Sequence, residues 1–453
     1  MKKESLFFAA IAMFSALNAA TIDKVIIRQQ WPWSTDVKVE YRISDVDSPV
    51  DISVAAFDGD KPLDSAKLAS SMKGDLFGID EDNFYSFTID PVKAFGKSNI
   101  AVMNFNVRLS ATPSAANMRD VLYKIVDLNS GEVTDVRRAD FYGGKYGSFE
   151  TSYSAFSING APCETDFQDV LIWTEVTNNP IYKTDFLILR HIPAASWGEW
   201  IMDAPGVNGT SQSGMGGNMH PVKLTDDYYA GVFPITQSQY MKLTGTYGKA
   251  FIDDAMYPDH EFKPVSGLDW SLGKAFVDSL SEKTAGKLSF MLPTEAQWEF
   301  AARGGVTNNV LYSKSATWGG GTLRSIGWCS ENILSSQGTT VNAGYDSEQP
   351  VAVGRLPPNG FGLYDMLGNV KEFCSDYSND STYSWPEGVA VNPTGVTEAE
   401  AAKTGQNIVK HILRGGDFSS GRTYITLRSR FSAGKYTRNL EYGFRVICTV
   451  NQD

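Results

Sequence analysis

The chain opens on an alternation of apolar and polar positions. Val37, Val39, Tyr41 and Ile43 interleave with Asp36, Lys38, Glu40 and Arg42. A period of two gives a strand one buried face and one wet face. Runs of the same kind follow at 52–57, 84–89 and 100–109, separated by turn residues such as Asp58-Gly59-Asp60. Together they predict an all-β sandwich of immunoglobulin-like type over 21–112. One short helix is expected at 64–72. Nothing in this region has a catalytic pattern. Trp31 and Trp33 flank Pro32 and read either as a platform for sugar stacking or as core or interface aromatics.

The stretch 113–184 is expected to connect two domains. Residues 111–116 have linker composition, and 121–128 and 133–137 form a hairpin around Asn129-Ser130-Gly131. A second domain, 185–450, begins with a strand at 185–192. Here the period changes to that of helices. Thr236 stands three residues before Gln239, and Thr294 three before Gln297, each a capping box. Tyr240 and Leu243, then Trp298 and Ala301, supply the apolar sides, and Gly304-Gly305 ends the later helix. Leu268, Leu272, Ala275, Phe276 and Leu280 mark a third helix. The chain is glycine-rich and irregular to 345, and a polar loop is expected at 376–410. The closing segments are Arg414-Gly415-Gly416-Asp417-Phe418 and Tyr442-Gly443-Phe444-Arg445-Val446. An Arg-Gly-Gly turn either cradles an anion or lets backbones approach while the arginine pairs with a buried carboxylate.

The stretch 357–373 organises this second domain. It starts on Pro357-Pro358-Asn359-Gly360, a kinked turn, and places Asp365 and Glu372 on either side of a second turn at Gly368-Asn369. Two carboxylates with backbone carbonyls between them can surround a calcium ion. The alternative is that Asp365 caps its own turn and Glu372 lies on a strand face.

Composition narrows the possibilities. A chain of 453 residues with 42% hydrophobic content can build two cores. Its 12% aromatics, 41 glycines and 19 prolines suit a β-rich, loop-rich protein. A net charge of -12 argues against general affinity for nucleic acid or an anionic membrane. Residues 1–20 read as a signal peptide, with Lys2 and Lys3 before an apolar run and Asn18-Ala19-Ala20 at its end. The run is too short to span a bilayer, and no later stretch is long enough. A secreted or periplasmic protein is expected. Cys163, Cys329, Cys374 and Cys448 could form two disulfides there, with pairing open. The cysteines and the four histidines are too dispersed for a zinc motif.

Several motifs in register resemble the formylglycine-generating enzyme, or sulfatase-modifying factor, family. They are residues 292–305, the segment 362–373, Arg414-Gly415-Gly416 and Gly443-Phe444-Arg445, with Phe233-Pro234-Ile235-Thr236-Gln237 upstream. The resemblance runs from about 187 to 450. It implies an irregular α+β domain related to C-type lectins, following the β-sandwich. It also implies two calcium sites. One would use Asp365 and Glu372 carboxylates with Gly368 and Val370 carbonyls. The other, at Asn332 and Ile333 with a later pair at Ala343 and Tyr345, is incomplete because Ala343 stands where an acidic ligand is expected.

The family's oxidases hold copper between two cysteines just after the Arg-Gly-Gly turn, where soft thiolates suit Cu(I). This sequence has Ser420 and Ile425 there, so no catalytic residue is assigned and copper is not expected. Met291 stands for the usual arginine and Lys371 for the usual tryptophan. The resemblance therefore implies a non-oxidase that binds calcium and recognises an extracellular peptide, protein or glycan. Asp417, Ser420, Arg422, Tyr424, Arg428 and Arg430 would line its cleft. The alternatives are a protein-modifying enzyme with a relocated site, for which His411 is the nearest base to Ser420 in sequence, and a purely structural surface protein.

Overall fold

The computed structural model describes residues 20–29, 34–63, 67–95, 104–151, 157–158, 161–162, 171–203, 220–246, 259–304, 326–330, 349–378, 387–403, 408–421 and 424–451. Residues 1–19 of the expected signal, Trp31, Trp33, Cys163, Asn332, Ile333, Ala343, Tyr345 and Arg422 lie outside them. The fold is β-rich with a few helices, and it divides into two compact units. One comprises 1–120 and 137–147, the other 121–136 and 148–453.

In the first unit, β1 (Thr21–Gln29), β2 (Val37–Ser44), β3 (Val50–Asp58), β4 (Lys61–Pro62), β5 (Met72–Gly74), β6 (Asn83–Ile89) and β7 (Phe105–Pro113) form two antiparallel sheets. Their orders are β1-β2-β6-β5 and β4-β3-β7. The alternation in β2 works as expected: Val39, Tyr41 and Ile43 are buried, and they share one core with Ile52 and Ala56 of the other sheet. The helix expected at 64–72 is, in its described part, a 3-10 turn at Ala69–Ser71 that runs into β5. The linker expected at 111–116 begins as strand, because β7 pairs with β3 through Pro113 opposite Val50.

The hairpin of β8 (Val121–Asp127) and β9 (Val133–Arg137) belongs to the second unit's largest sheet. There β8 pairs with the strand Phe186–Ile192. The sheet continues through Tyr228–Gly231 and Ile447–Val450 to Leu288–Met291. A four-stranded sheet holds Arg430–Gly434, Lys410–Arg414, Lys371–Ser378 and Tyr442–Gly443, in that order. The three expected helices are Gln237–Thr244, Trp270–Lys283 and Glu295–Arg303. Both capping boxes form: Thr294 Oγ1 accepts from Gln297 N at 3.1 Å while Thr294 N donates to Gln297 Oε1 at 2.9 Å. The loop expected at 376–410 is shorter than its composition suggests. The strand Lys371–Ser378 takes its start, and it also holds the short strand Ala390–Val391 and a capped helix, Glu398–Ala402.

Candidate functional site

The organising turn is locked from both ends. Asn359 accepts Phe361 N at 3.0 Å and Leu363 N at 3.1 Å on its own Oδ1. Its Nδ2 donates to Ala301 O at 2.8 Å, so the turn closes the helix Glu295–Arg303. Asp365 and Asn369 have left-handed backbones, with φ of 56° and 65°. Gly368, at φ 81°, cannot be replaced without movement, because a Cβ there would lie 1.7 Å from Trp328 O.

These constraints bring Asp365, Gly368, Val370 and Glu372 to one buried turn. Their carboxylates already have partners. Asp365 Oδ1 accepts from Trp328 Nε1 at 3.1 Å and Oδ2 from Gly354 N at 2.7 Å. Glu372 Oε2 accepts from Trp298 Nε1 at 2.7 Å. Arg445 donates to both Glu372 oxygens, at 3.2 and 3.1 Å. Burial pushes the Asp365 carboxyl up to about 6, against the Gly354 N–H and the nearby Arg445. Tested against calcium, the set fits in part. Asp365 is a buried carboxylate without an ion pair among the described residues, which suits a cation. Glu372 is neutralised by Arg445, which does not. Each Asp365 oxygen and Glu372 Oε1 has a lone pair beyond the one it uses here, whereas Glu372 Oε2 already accepts two hydrogen bonds.

Next to this turn lies a second network. Lys371, in place of the expected tryptophan, contacts Asp417 Oδ2 through its ammonium and reaches Glu441 Oε2 at 2.7 Å. Burial works against this ammonium, but the Asp417 and Glu441 carboxylates outweigh it and raise its pKa. The same Asp417 Oδ2 accepts the Ser420 hydroxyl at 2.5 Å. Ser419 donates to Asp417 Oδ1 through N and Oγ, both at 2.7 Å. Ile425 is fully buried and packs in the main core of this unit. A hydroxyl bound to a carboxylate and a buried alkyl group do not fit a copper bis-thiolate.

The candidate cleft residues divide. Asp417 is buried and saturated, and Arg430 is tied to Glu295 through Nε at 2.8 Å. Arg428 is half-buried, and its carbonyl accepts from Arg414 Nη1 at 3.2 Å. Tyr424 is 47% exposed and Ser420 partly so, leaving these two at the surface. His411 is not beside Ser420 in any hydrogen bond; its Nδ1 lies 3.2 Å from Ser375 O, and its ring stacks on Trp270 at 3.8 Å. Burial pushes His411 down to about 4. Cys374 and Cys448 are free, buried thiols, so the two disulfides expected from the cysteine count do not form. Burial raises both thiols, Cys448 to about 12.

Under the Arg-Gly-Gly turn the structure reveals a cluster that sequence reasoning missed. Arg414 is fully buried and ion-pairs with Glu299, with Glu295 at 3.4 Å and with Asp203 at 3.5 Å. It also donates to Leu427 O at 2.7 Å. Burial, with help from Glu299, raises Asp203 to about 7. Burial and Glu295 do the same to Asp376, also to about 7. Glu295, Glu299 and Arg303 recur every four residues, so a charged stripe on one helix face was the available signal. Of the two readings of the Arg-Gly-Gly turn, the structure takes the second: the arginine neutralises buried carboxylates.

Comparison with known proteins gives the same region a family. The model of the sulfatase-modifying factor enzyme 1-like domain matches residues 197–450. The formylglycine-generating enzyme of Streptomyces coelicolor is 32% identical over 195 residues, 42% of this chain and 52% of that protein. The serine/threonine-protein kinase pkn1 of Chlamydia pneumoniae is 27% identical over 226 residues, 50% of this chain and 29% of the kinase. The chain thus spans about half or less of the length of these relatives. Among solved structures, Treponema denticola variable protein 1 aligns with 58% of this chain and 95% of its own, at 22% identity and a TM-score of 0.42.

Proposed function

Since the chain belongs to the sulfatase-modifying factor enzyme 1-like family, we propose that it keeps the family scaffold without the copper oxidase chemistry. In this reading it is a secreted or periplasmic recognition protein for an extracellular peptide, protein or glycan. One observation carries the proposal. The two positions that would hold copper have a serine bound to Asp417 and a buried isoleucine. The surface left beside them, Ser420 and Tyr424, can contact a ligand.

The N-terminal unit, with two sheets around one core, supports an immunoglobulin-like sandwich as its partner domain. No helix among the described residues is long and apolar enough to cross a membrane. The extracellular location rests on the signal-like composition of residues 1–20. Calcium at the 365–372 turn is part of the proposal, held by the remaining lone pairs of Asp365 and the Gly368 and Val370 carbonyls. Glu372 would take part only by sharing its charge with Arg445.

The test is copper binding and oxygen consumption by the purified mature protein, offered a cysteine-containing sulfatase-type peptide with calcium present. No bound copper and no aldehyde are expected. Stoichiometric copper with aldehyde formation would overturn the reading and favour a protein-modifying enzyme with a relocated site. A melting temperature indifferent to calcium and chelator would remove calcium from it.

A further inference from the structure

The outer face of the first unit's four-stranded sheet carries a feature that the recognition surface of the second unit does not explain. On β2 the residues turned away from the core are Lys38, Glu40 and Arg42. Strand register sets Lys24 of β1 directly opposite Arg42, and Arg42 directly opposite Phe84 of β6. This row of two cations and an aromatic ring borders a cavity of about 360 Å3, with Ile26, Lys38, Glu40, Asp75 and Tyr85 also in its wall. Phe84 is 62% exposed, an uncommon state for a large ring on a strand. The Arg42 guanidinium lies 5.8 Å from its centroid.

The charges here are unbalanced. The wall holds three cations, Lys24, Lys38 and Arg42, and two carboxylates, Glu40 and Asp75. Both Glu40 oxygens are taken, by Arg28 and Lys38, each at 2.9 Å, and Asp75 Oδ2 accepts from Ser86 N at 3.2 Å. Among the described residues Arg42 has one ion-pair contact, a long one of 3.8 Å to Asp23. Lys24 has no ion pair among the described residues. Like charges directly opposite each other on neighbouring strands destabilise a sheet. A pair of them beside an exposed ring, in a chain of net charge -12, marks a place prepared for an anion.

We propose that this face binds an acidic saccharide. A sugar ring stacks on Phe84, and its carboxylate sits between Lys24 and Arg42. The dimensions agree: adjacent strands are about 4.8 Å apart, roughly the width of one pyranose ring. The cavity falls within the range of small-ligand sites, roughly 300–1,000 Å3. A peptide is the weaker candidate. An extended peptide gains affinity by adding main-chain bonds at a sheet edge. Over the cavity floor the β2 main chain is already paired on both sides, with β1 and β6, so a ligand seated between Lys24, Arg42 and Phe84 is read by side chains, while a peptide strand would instead add at the β1 edge.

The test uses the full mature chain and isothermal titration with galacturonate, glucuronate and sialic-acid oligosaccharides, each beside its carboxyl-reduced form. At least one acidic oligosaccharide is expected to bind, and its reduced form at least about tenfold more weakly. Phe84→Ala alone, and Lys24→Gln with Arg42→Gln, should each weaken binding about tenfold, or 1.4 kcal/mol. These side chains are exposed, so the melting temperature should hold. Three results would overturn the proposal: no acidic oligosaccharide binds, the reduced forms bind equally, or Phe84→Ala is without effect. Equal competition by a poly-glutamate peptide would also overturn it, since the face would then read charge alone.

Discussion

Replacing Arg414 by methionine removes the cation at the centre of the second unit while nearly preserving its volume. Glu299 loses a direct partner, and Glu295 and Asp203 lose a charge at 3.4 and 3.5 Å. The Leu427 and Arg428 carbonyls lose their donors. Breaking a buried pair by deleting one partner costs about 3–5 kcal/mol, because the remaining charge stays buried. The carbonyl losses overlap with that figure, so we expect about 4 kcal/mol. Arg303 and Arg430 remain and keep the value from rising further. The assay is urea unfolding followed through tryptophan emission; Trp298 lies under Arg414, its ring 5.6 Å from the guanidinium carbon. The deficit should shrink at pH 5.5 relative to pH 8, because the stranded carboxylates can take up protons there. Arg414→Lys should recover part of the loss. A deficit below about 1 kcal/mol, or one that is equal at both pH values, would refute the view that this arginine holds the cluster together.

The wild-type protein should itself be less stable at pH 8 than at pH 5.5. Asp203 and Asp376 are raised in the fold from 3.8 to about 7, so their contribution is complete below 3.8 and is lost as pH rises through about 7. His411, lowered from 6.5 to about 4, opposes this by one proton as pH falls through that window. Stability rising steadily from pH 5.5 to pH 8 in denaturant titrations would contradict this balance. Thr294→Ala removes the acceptor for Gln297 N and should cost about 1 kcal/mol, with Thr294→Ser near wild type in thermal melts. Gly368→Ala puts a side chain at φ 81° and against Trp328 O, so a loss of at least about 2 kcal/mol is expected; an unchanged melting temperature would show that the turn can move.

Regular elements were legible wherever one local signal sufficed. The alternation in 37–44 and the capping boxes at Thr236 and Thr294 lie within a few residues, and each gives its element. The register of motifs was also legible, because it is a property of order along the chain. What the sequence did not reveal was decided by partners far away. Glu372 reads as a carboxylate free for a cation, but Arg445, 73 residues later, donates to both its oxygens and shares its charge. Arg430 reads as a cleft residue until Glu295 takes it. The inner face of the helix Glu295–Arg303 reads as Trp298 and Ala301. Glu295 and Glu299 are equally buried, because the distant Arg430 and Arg414 neutralise them, and Arg303 is buried against Glu299 one turn before it. A carboxylate's role depends on which cation reaches it, and spacing along one segment does not contain that.

Two departures from the family pattern, Lys371 and Ser420, are best understood together. They are separated by 49 positions, yet both contact the same oxygen, Asp417 Oδ2. Asp417 is fully buried, so its charge requires a cation nearby, and Lys371 provides it. The Ser420 hydroxyl then takes the second lone pair of that oxygen, a place that a thiolate could not share with a carboxylate without like-charge repulsion. Lys371 and Ser420 thus form one hard, hydrogen-bonded unit around Asp417, where the resemblance implies a soft, redox-active thiol in the family's oxidases. This reasoning predicts energetic coupling. In a double-mutant cycle of Lys371→Met and Ser420→Ala, measured by urea unfolding, each single change should destabilise, Lys371→Met by about 3 kcal/mol. Their effects should depart from additivity by at least about 0.5 kcal/mol, as expected for residues sharing one partner. Additivity within error would mean that Asp417 does not link the two positions.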